Sequence, residues 1–147
     1  MGGGFSTSRN STLTQIIFPD SSQSISSFWV NECNLTGTLD VSGLTGLSQS
    51  FHAESNPNLT SILLPTLNAS IYLFDVEDCS LKQWNVDNIL VKFDTWFTAN
   101  LPTENLYLYL FGGNTASPTN GALNTNLVHI EDIFDNSTAY TATITIN

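Results

Sequence analysis

Phenylalanine recurs every 23 residues through the first half of the chain, at Phe5, Phe28, Phe51 and Phe74. A fixed period of roughly 20 to 50 residues marks a repeat architecture, because each unit can bury its apolar face only against the next unit. This spacing constrains the fold more than any other feature of the sequence. It predicts four stacked 23-residue repeats over residues 5–86.

The repeats alternate between two variants. Residues 5–19 (FSTSRNSTLTQIIFP) match residues 51–65 (FHAESNPNLTSILLP), and residues 28–41 match residues 74–86. Within a repeat an apolar residue commonly follows the Phe two positions on, which predicts a short strand with both side chains pointing inward. The later apolar residues of the repeats are expected to fill the opposite, convex side of the coil; they are Leu13, Leu59, Leu81 and Trp84.

The residue five positions after each Phe is Asn or Cys, and we expect the chain to turn there. Asn10 and Asn56 can bond to neighbouring backbone groups that would otherwise be buried unpaired. Cys33 and Cys79 occupy this position in the alternate repeats. Stacked strands lie ~4.8 Å apart, so these cysteines are separated by roughly 10 Å, beyond the ~7 Å reach of a disulfide. Both are predicted to be free and buried, and a shared metal ion is the disfavoured alternative.

The period changes after Val86. Residues 87–99 (DNILVKFDTWFTA) carry apolar side chains at helical spacing, with Asn85 or Asp87 as the expected N-cap. Alternating and helical patterns then predict a strand, a second helix and a last strand, over residues 106–110, 124–134 and 141–147. The chain therefore closes with a helix-strand-helix-strand segment, which is expected to finish its C-terminal end.

Three motifs of this closing segment resemble those of leucine-rich-repeat-like proteins from bacterial surfaces and bacteriophage virions. They are V-D-N-I-L at residues 86–90, F-G-G-N-T-A-S-P at 111–118 and I-T-I-N at 144–147. The family carries V-D-x-I-L, S-G-G-x-N-x-x-P and a V-T-V-N-like strand, so Phe111 replaces its usual Ser. The repeats themselves resemble the leucine-rich-repeat consensus, with Phe at the second Leu. The resemblance covers nearly the whole chain; it implies an architecture and says little about function, because repeats are scaffolds.

Together these features predict an α/β fold in a single solenoid domain, residues 1–147. The expected leucine-rich-repeat-like solenoid has a parallel sheet on its concave face and an irregular convex side in residues 5–86. Two helices belong to the closing segment, residues 87–147.

The charge balance excludes several classes of partner. The chain has 13 acidic and three basic residues, for a net charge of −10. Binding to nucleic acid or to an anionic membrane surface needs clustered Lys and Arg, so neither is expected. No apolar run reaches the ~18 residues of a membrane span, and the sequence does not begin like a secretory signal peptide.

Side chains that alternate with the inward-pointing ones are predicted to form an exposed sheet surface. Its outer members are Ser6, Ser8, Glu32, Tyr72 and Asp78. Its predicted binding residues, here called the aromatic–acidic face, are Trp29, Asn31, His52, Glu54, Asp75, Glu77, Tyr107, Tyr109 and Phe111.

Three interpretations of this face compete. An exposed aromatic stripe commonly marks a contact surface for a protein or a glycan, and this interpretation is favoured. The pairs can instead simply stabilise an ordinary solvated sheet. A chemical site is disfavoured: His52 beside Glu54 and Asp75 superficially resembles an acid–base pair, and Glu54, Asp75, Glu77 and Asp78 offer oxygens to a cation. We therefore predict no catalytic residue, no cofactor and no metal.

The favoured hypothesis is a non-enzymatic structural protein of a bacteriophage virion, such as a capsid decoration, head-fibre or tail-associated module. The alternative is a bacterial cell-surface adhesin. Partners are expected to be other virion or surface proteins, or a host glycan. The first repeat begins at Phe5 without a capping element, and an open strand edge invites pairing. We expect another chain or another copy to cover this N-terminal edge.

Overall fold

The computed structural model describes residues 3–19, 24–67 and 71–147. Within these residues eight strands and two α-helices occur in the chain, together with a 3₁₀ turn at Gly121–Leu123. The strands are β1 (Gly3–Ser6), β2 (Ile25–Trp29), β3 (Thr36–Asp40), β4 (Ser50–His52), β5 (Asn58–Leu63), β6 (Leu73–Asp75), β7 (Leu106–Leu110) and β8 (Ala142–Ile146). The helices are α1 (Gln83–Ala99) and α2 (Thr125–Asp135).

Six of the strands form one parallel sheet in the order β1-β2-β4-β6-β7-β8. The remaining two, β3 and β5, pair in parallel as a second sheet. The chain is thus α/β with parallel sheets and two helices, as the sequence predicts. Each of the first three crossovers between neighbouring strands of the large sheet is one 23-residue period long, because Phe5 pairs with Phe28, Phe28 with Phe51 and Phe51 with Phe74.

The four periodic phenylalanines stack along the interior of the large sheet. Successive ring centroids lie 5.2, 5.2 and 4.8 Å apart, with interplanar angles of 11°, 15° and 12°. Phe93 of α1 ends the stack with its edge against Phe74 at 5.5 Å. Each fully buried Phe contributes about 1.5–3 kcal/mol from burial, so this column accounts for much of the stability of the repeats.

The turn after each sheet strand holds a residue in the left-handed region, again at the 23-residue period. These residues are Arg9, Glu32, Ser55 and Asp78, with φ between 53° and 62°. An Asn or a Cys follows each of them. Asn56 is buried and accepts from the Leu35 N–H while donating to the carbonyls of Val30 and Ala53. The prediction for Asn56 is confirmed: it satisfies backbone groups of two repeats.

Asn10 does not repeat this role. It is exposed, and its side-chain oxygen accepts from the backbone and hydroxyl of Thr12. Among the described residues β1 is an edge strand, so the Asn10 amide has no carbonyl of an adjacent turn on that side to bond. The prediction that Asn10 bonds backbone groups that would otherwise be buried is wrong for this physical reason.

Both cysteines are free and buried, as predicted. The Cys33 thiol donates to the Thr7 carbonyl at 3.2 Å, and the Cys79 thiol donates to the Ala53 carbonyl at 3.3 Å. Each thiol therefore bonds a carbonyl of the preceding repeat, as the Asn56 amide does. Burial raises the pKa of the Cys79 thiol to about 12.

Helix α1 begins earlier than the sequence pattern indicates, at Gln83 after an N-cap Lys82. Asn85 and Asp87, the two expected caps, both lie inside the helix. Asn85 is buried and bonds the backbone of Ile62, while the Asp87 carboxylate accepts from the N–H and hydroxyl of Thr119. Both side chains are hydrogen-bonded to residues outside the helix, so neither caps α1. The capping prediction is therefore wrong.

Of the four residues predicted to fill the convex side, the three leucines are buried or partly buried and Trp84 is not. Leu59 and Leu81 are fully buried, and Leu13 is partly buried against the core. Trp84 is 48% exposed. It lies in the first turn of α1, whose buried side is formed by Val86, Ile89, Leu90, Phe93 and Phe97. The early start of the helix places Trp84 on the opposite side, facing solvent.

The large sheet ends in two open edges. β1 has a partner only in β2, and β8 has a partner only in β7, within the described residues. The expectation that the closing segment finishes the C-terminal end is therefore wrong, since β8 exposes a free strand edge as β1 does. No helix in the described part of the chain combines the length and apolar character needed to cross a bilayer.

Candidate functional site

The sheet aligns the predicted binding residues in rows across its strands. Trp29 pairs in register with His52, His52 with Asp75, and Asp75 with Tyr109. Ser6 precedes this row on β1 and Thr145 follows it on β8. The sequence analysis did not include Thr145 in the face, although the alternation in residues 141–147 places it there.

A second row lies two residues further along each strand. Backbone hydrogen bonds connect the same turns, from Glu32 N to Glu54 O, from Ser55 N to Glu77 O and from Asp78 N to Phe111 O. The row contains Ser8, Asn31, Glu54, Glu77 and Phe111. The residues between the two rows are fully buried; they are Val30, Ala53, Val76 and Leu110. The alternation therefore puts both rows on one side of the sheet, opposite the core.

Tyr107 belongs to the same side at the start of β7, where it pairs with Leu73 and Thr143. It lies within the strand and is 37% exposed. Tyr72 is also 37% exposed, and its backbone carbonyl accepts a hydrogen bond from the Tyr107 N–H. The structure thus brings all of the residues of the aromatic–acidic face onto one surface.

Trp29 lies over the backbone of the first strand. A Cβ added at Gly4 would stand 2.5 Å from the Trp29 ring carbon Cζ3, so a side chain at residue 4 would displace the indole from this position. The ring centroids of Trp29 and His52 are 6.5 Å apart. Gly4 has no side chain and was missed by the sequence analysis, yet it supports the largest aromatic group of the face.

The opposite end of the face carries the tyrosines and Phe111. The rings of Tyr109 and Phe111 meet edge to face, 6.2 Å between centroids. The two aromatic ends therefore flank a central acidic part.

Glu54, Asp75 and Glu77 form this central part together with His52. The His52 Nδ1 and Glu54 Oε2 atoms are 3.5 Å apart. Asp75 Oδ1 accepts the backbone N–H of Glu77 at 3.0 Å. Glu54 Oε2 is buried and has no hydrogen-bond partner in the described part of the structure. One donor atom from each of His52, Glu54 and Asp75 can be chosen so that all lie within 4.8 Å of one another.

The pKa of Asp75 lies above its ordinary value. Desolvation by burial is the largest cause of the raised pKa, and repulsion from Glu54 and Glu77 raises it further. The hydrogen bond from the Glu77 N–H and the nearby His52 both lower this pKa, but by less. Burial and the neighbouring carboxylates therefore disfavour the charged form of Asp75 in the central part of the face.

Asp78 and Glu32 do not join this cluster. Asp78 accepts the Gly113 N–H at 2.9 Å, and Glu32 pairs with Arg9 at 3.1 Å. Gly112 and Gly113 both have positive φ, and a side chain on either would collide with Asp78 or Cys79. The Gly-Gly motif thus allows the closing segment to pack against the last repeat turn.

The second histidine has a structural contact. His129 Nδ1 on α2 lies 2.6 Å from Asp94 Oδ1 on α1. This pair connects the two helices away from the aromatic–acidic face.

Two open grooves also lie outside the face. One of about 340 Å³ runs between β5 and α1, beside Leu63 and Val91. The other, of about 510 Å³, is bordered by residues 15–19 and includes the 81% exposed Ile17. Neither groove is lined by residues of the face.

Comparison of the chain with protein-family models, with curated proteins and with solved structures finds no match in any of the three.

Proposed function

We propose that the chain is a non-enzymatic structural protein of a bacteriophage virion, and that its aromatic–acidic face binds a neighbouring protein with a basic surface. The observation that carries the proposal is the aligned row Trp29, His52, Asp75 and Tyr109 across four adjacent strands. In this proposal the fold is a leucine-rich-repeat-like solenoid that presents the row to its partner.

The chemistry of the row suits a protein interface. Trp and Tyr are common energetic anchors of interfaces, because each presents a large rigid surface at low conformational cost. Trp29 and Tyr109 are partly exposed at the two ends of the row. Beneath them, β2 carries Phe28 of the stack, and Leu108 of β7 pairs in register with Phe74. The anchors are thus held by a rigid support.

The charge of the face favours a basic partner. Glu54, Asp75 and Glu77 lie between the aromatic ends, and Lys82 and Lys92 lie before or within α1. The remaining basic residue, Arg9, is paired with Glu32. Complementary charge steers association and raises its rate at low salt, so a partner with clustered Lys or Arg fits this face.

Location on a virion is supported by composition and by the resemblance of the closing segment to virion proteins. Charged residues make up 11% of the chain, and Ser, Thr and Asn supply most of its polarity. The second candidate is a bacterial surface adhesin that binds a glycan: stacked aromatic rings beside carboxylates also suit sugar rings and hydroxyl groups.

Mass spectrometry of gradient-purified virions tests the location, and cross-linking in the same particles identifies the neighbour. We expect cross-links from Glu54, Asp75 or Glu77 to lysines of one partner. With that partner in hand, Trp29→Ala and Tyr109→Ala should each weaken binding by about tenfold or more. Trp84→Ala is the matched control, since Trp84 is exposed on α1, and it should leave the affinity unchanged.

Three results contradict the proposal. Absence of the chain from virions contradicts the location. Equal loss of affinity in Trp84→Ala and Trp29→Ala would show that the face does not form the interface. Face-dependent binding on a glycan array, with no protein cross-links, favours the adhesin.

A further inference from the structure

We infer that His52, Glu54 and Asp75 form a binding site for one divalent transition-metal ion, with Zn²⁺ as the probe, at the centre of the aromatic–acidic face. This departs from the expectation of no metal drawn from the sequence. The inference does not rest on the proposed function, because it concerns the ion alone.

The three side chains converge because of where they lie on adjacent strands. His52 ends β4, and Glu54 follows two residues later on the same side. Asp75 ends β6 and pairs in register with His52. One donor atom from each residue lies within 4.8 Å of the others.

One pair of donor atoms stands close to the separation that an ion requires. Donor atoms around a tetrahedral Zn²⁺ at ~2.0–2.2 Å stand roughly 3.3 Å apart. His52 Nδ1 and Glu54 Oε2, 3.5 Å apart, already meet this spacing. The 4.8 Å limit on the other separations is wider than this spacing, so the Asp75 carboxylate, whose Oδ1 accepts the Glu77 N–H, has to move toward the other two donors when an ion binds.

A second observation points to a cation at this place. Glu54 Oε2 is buried and accepts no hydrogen bond in the described part of the chain. Leaving a buried carboxylate oxygen without a partner is costly. Among the described residues, the only nitrogen within ion-pair distance of these three carboxylates, Glu54, Asp75 and Glu77, is His52 Nδ1. His52 Nδ1 stands 3.5 Å from Glu54 Oε2, farther than an ordinary hydrogen bond, and a cation bound between them would bond both atoms directly.

The donor set selects the class of ion. One imidazole and two carboxylates suit Zn²⁺ and the neighbouring first-row divalent ions. Ca²⁺ prefers six to eight oxygen donors, and Asp78, which could extend an oxygen cage, is held by Gly113. With three protein donors, at least one coordination position faces outward and is open to water or to a donor group of a partner.

Calorimetric titration of the chelator-treated, desalted chain with Zn²⁺ tests the site. We expect one ion per chain. His52→Ala and Asp75→Asn should each weaken the affinity by at least about tenfold, since each removes a direct ligand. The matched controls, His129→Ala and the exposed Asp132→Asn, remove a histidine and a carboxylate elsewhere and should bind Zn²⁺ as the unmodified chain does.

The visible absorption of bound Co²⁺ provides a second measurement, with the same variants expected to lose its signal. If His52→Ala fails to fold by circular dichroism, His52→Gln takes its place. The inference is overturned if no saturable binding occurs, if His52 and Asp75 variants retain full affinity, or if Ca²⁺ binds as tightly as Zn²⁺. The last result would mean that the acidic surface attracts any divalent ion.

Discussion

The side-chain amide of Asn85 pairs with the backbone of Ile62 in both directions. Asn85 Nδ2 donates to the Ile62 carbonyl at 2.8 Å, and the Ile62 N–H donates to Asn85 Oδ1 at 2.9 Å. A residue of α1 thereby takes the place of a neighbouring strand along the edge of β5. Because both residues are buried, water does not replace these bonds when they are lost.

Asn85→Ala should therefore lower the free energy of unfolding by about 2 kcal/mol or more. The substitution leaves two buried backbone groups without hydrogen-bond partners, and each such group costs about 1–3 kcal/mol. The higher helix propensity of Ala offsets only about 0.7 kcal/mol. Asn88→Ala is the control, because Asn88 is exposed on the same helix, and urea unfolding should show it unchanged or slightly stabilised. Equal stability of the two variants would contradict the role of Asn85.

Asn56 and Asn10 occupy equivalent turn positions and should respond differently to removal. Asn56→Ala loses buried bonds to Leu35, Val30 and Ala53, and we expect a cost of about 2–4 kcal/mol. Asn10→Ala loses only exposed bonds to Thr12 and should stay within about 0.5 kcal/mol. Thermal or urea unfolding of the two variants measures the difference, and similar costs would refute the assignment.

The Cys79 thiol should be unreactive in the folded chain. It is fully buried, and burial raises its pKa to about 12, so very little thiolate is present at pH 8. In a Cys33→Ser background, where Cys79 is the remaining thiol, we expect labelling by a disulfide reagent to be at least about a hundredfold slower in buffer than in denaturant. Rapid labelling under native conditions would show that the last repeat opens readily.

Asp75 should make stability fall as pH rises. Its folded pKa is raised, chiefly by burial, so the folded state favours the protonated carboxyl. Its contribution to stability is fully present below the ordinary carboxyl pKa and is lost as pH rises through the higher folded pKa. In chelator, Asp75→Asn should unfold at higher urea than the unmodified chain at pH 7, and the difference should shrink toward pH 4.

Asp40 provides the opposite case as a control. Hydrogen bonds from the hydroxyl and N–H of Ser42 lower the pKa of Asp40. Its contribution is present above the ordinary carboxyl pKa and disappears as pH falls through the lowered value. Asp40→Asn should thus be no more stable than the unmodified chain at pH 7. A stabilising effect equal to that of Asp75→Asn would mean that both variants merely reduce the net charge of −10.

The open edge of β1 should support self-association or pairing with another chain. The Thr7 N–H donates to Trp29 of β2, and the Arg9 N–H donates to Asn31 in the turn after it. Because backbone N–H groups alternate in direction along a strand, the Ser6 N–H points away from β2, toward the open edge. Ser6→Pro removes that donor while Ser6→Ala keeps it. Light scattering should show assemblies for the unmodified chain and for Ser6→Ala, and a smaller species for Ser6→Pro. A monodisperse monomer for all three would contradict the expectation.

The sequence alone determined the parallel stacking of the repeats and the composition of the aromatic–acidic face. Its 23-residue period is a local signal, since the same side chains recur at the same point of each strand. Strand alternation then assigns Trp29 and His52 to the outer side and Phe28 and Phe51 to the inner side. The buried role of Asn56 follows from the same periodic logic, because its position in the turn is repeated.

Only the tertiary structure decided the role of Asn85, the solvent exposure of Trp84 and the open edge at β8. These depend on which distant backbone groups need partners and on where α1 begins, and no short-range pattern encodes either. The burial of Glu54 Oε2 beside His52 and Asp75 is of the same kind. Periodicity placed the three residues on one face, but the packing of neighbouring strands set the distances between their side chains and buried Glu54 Oε2.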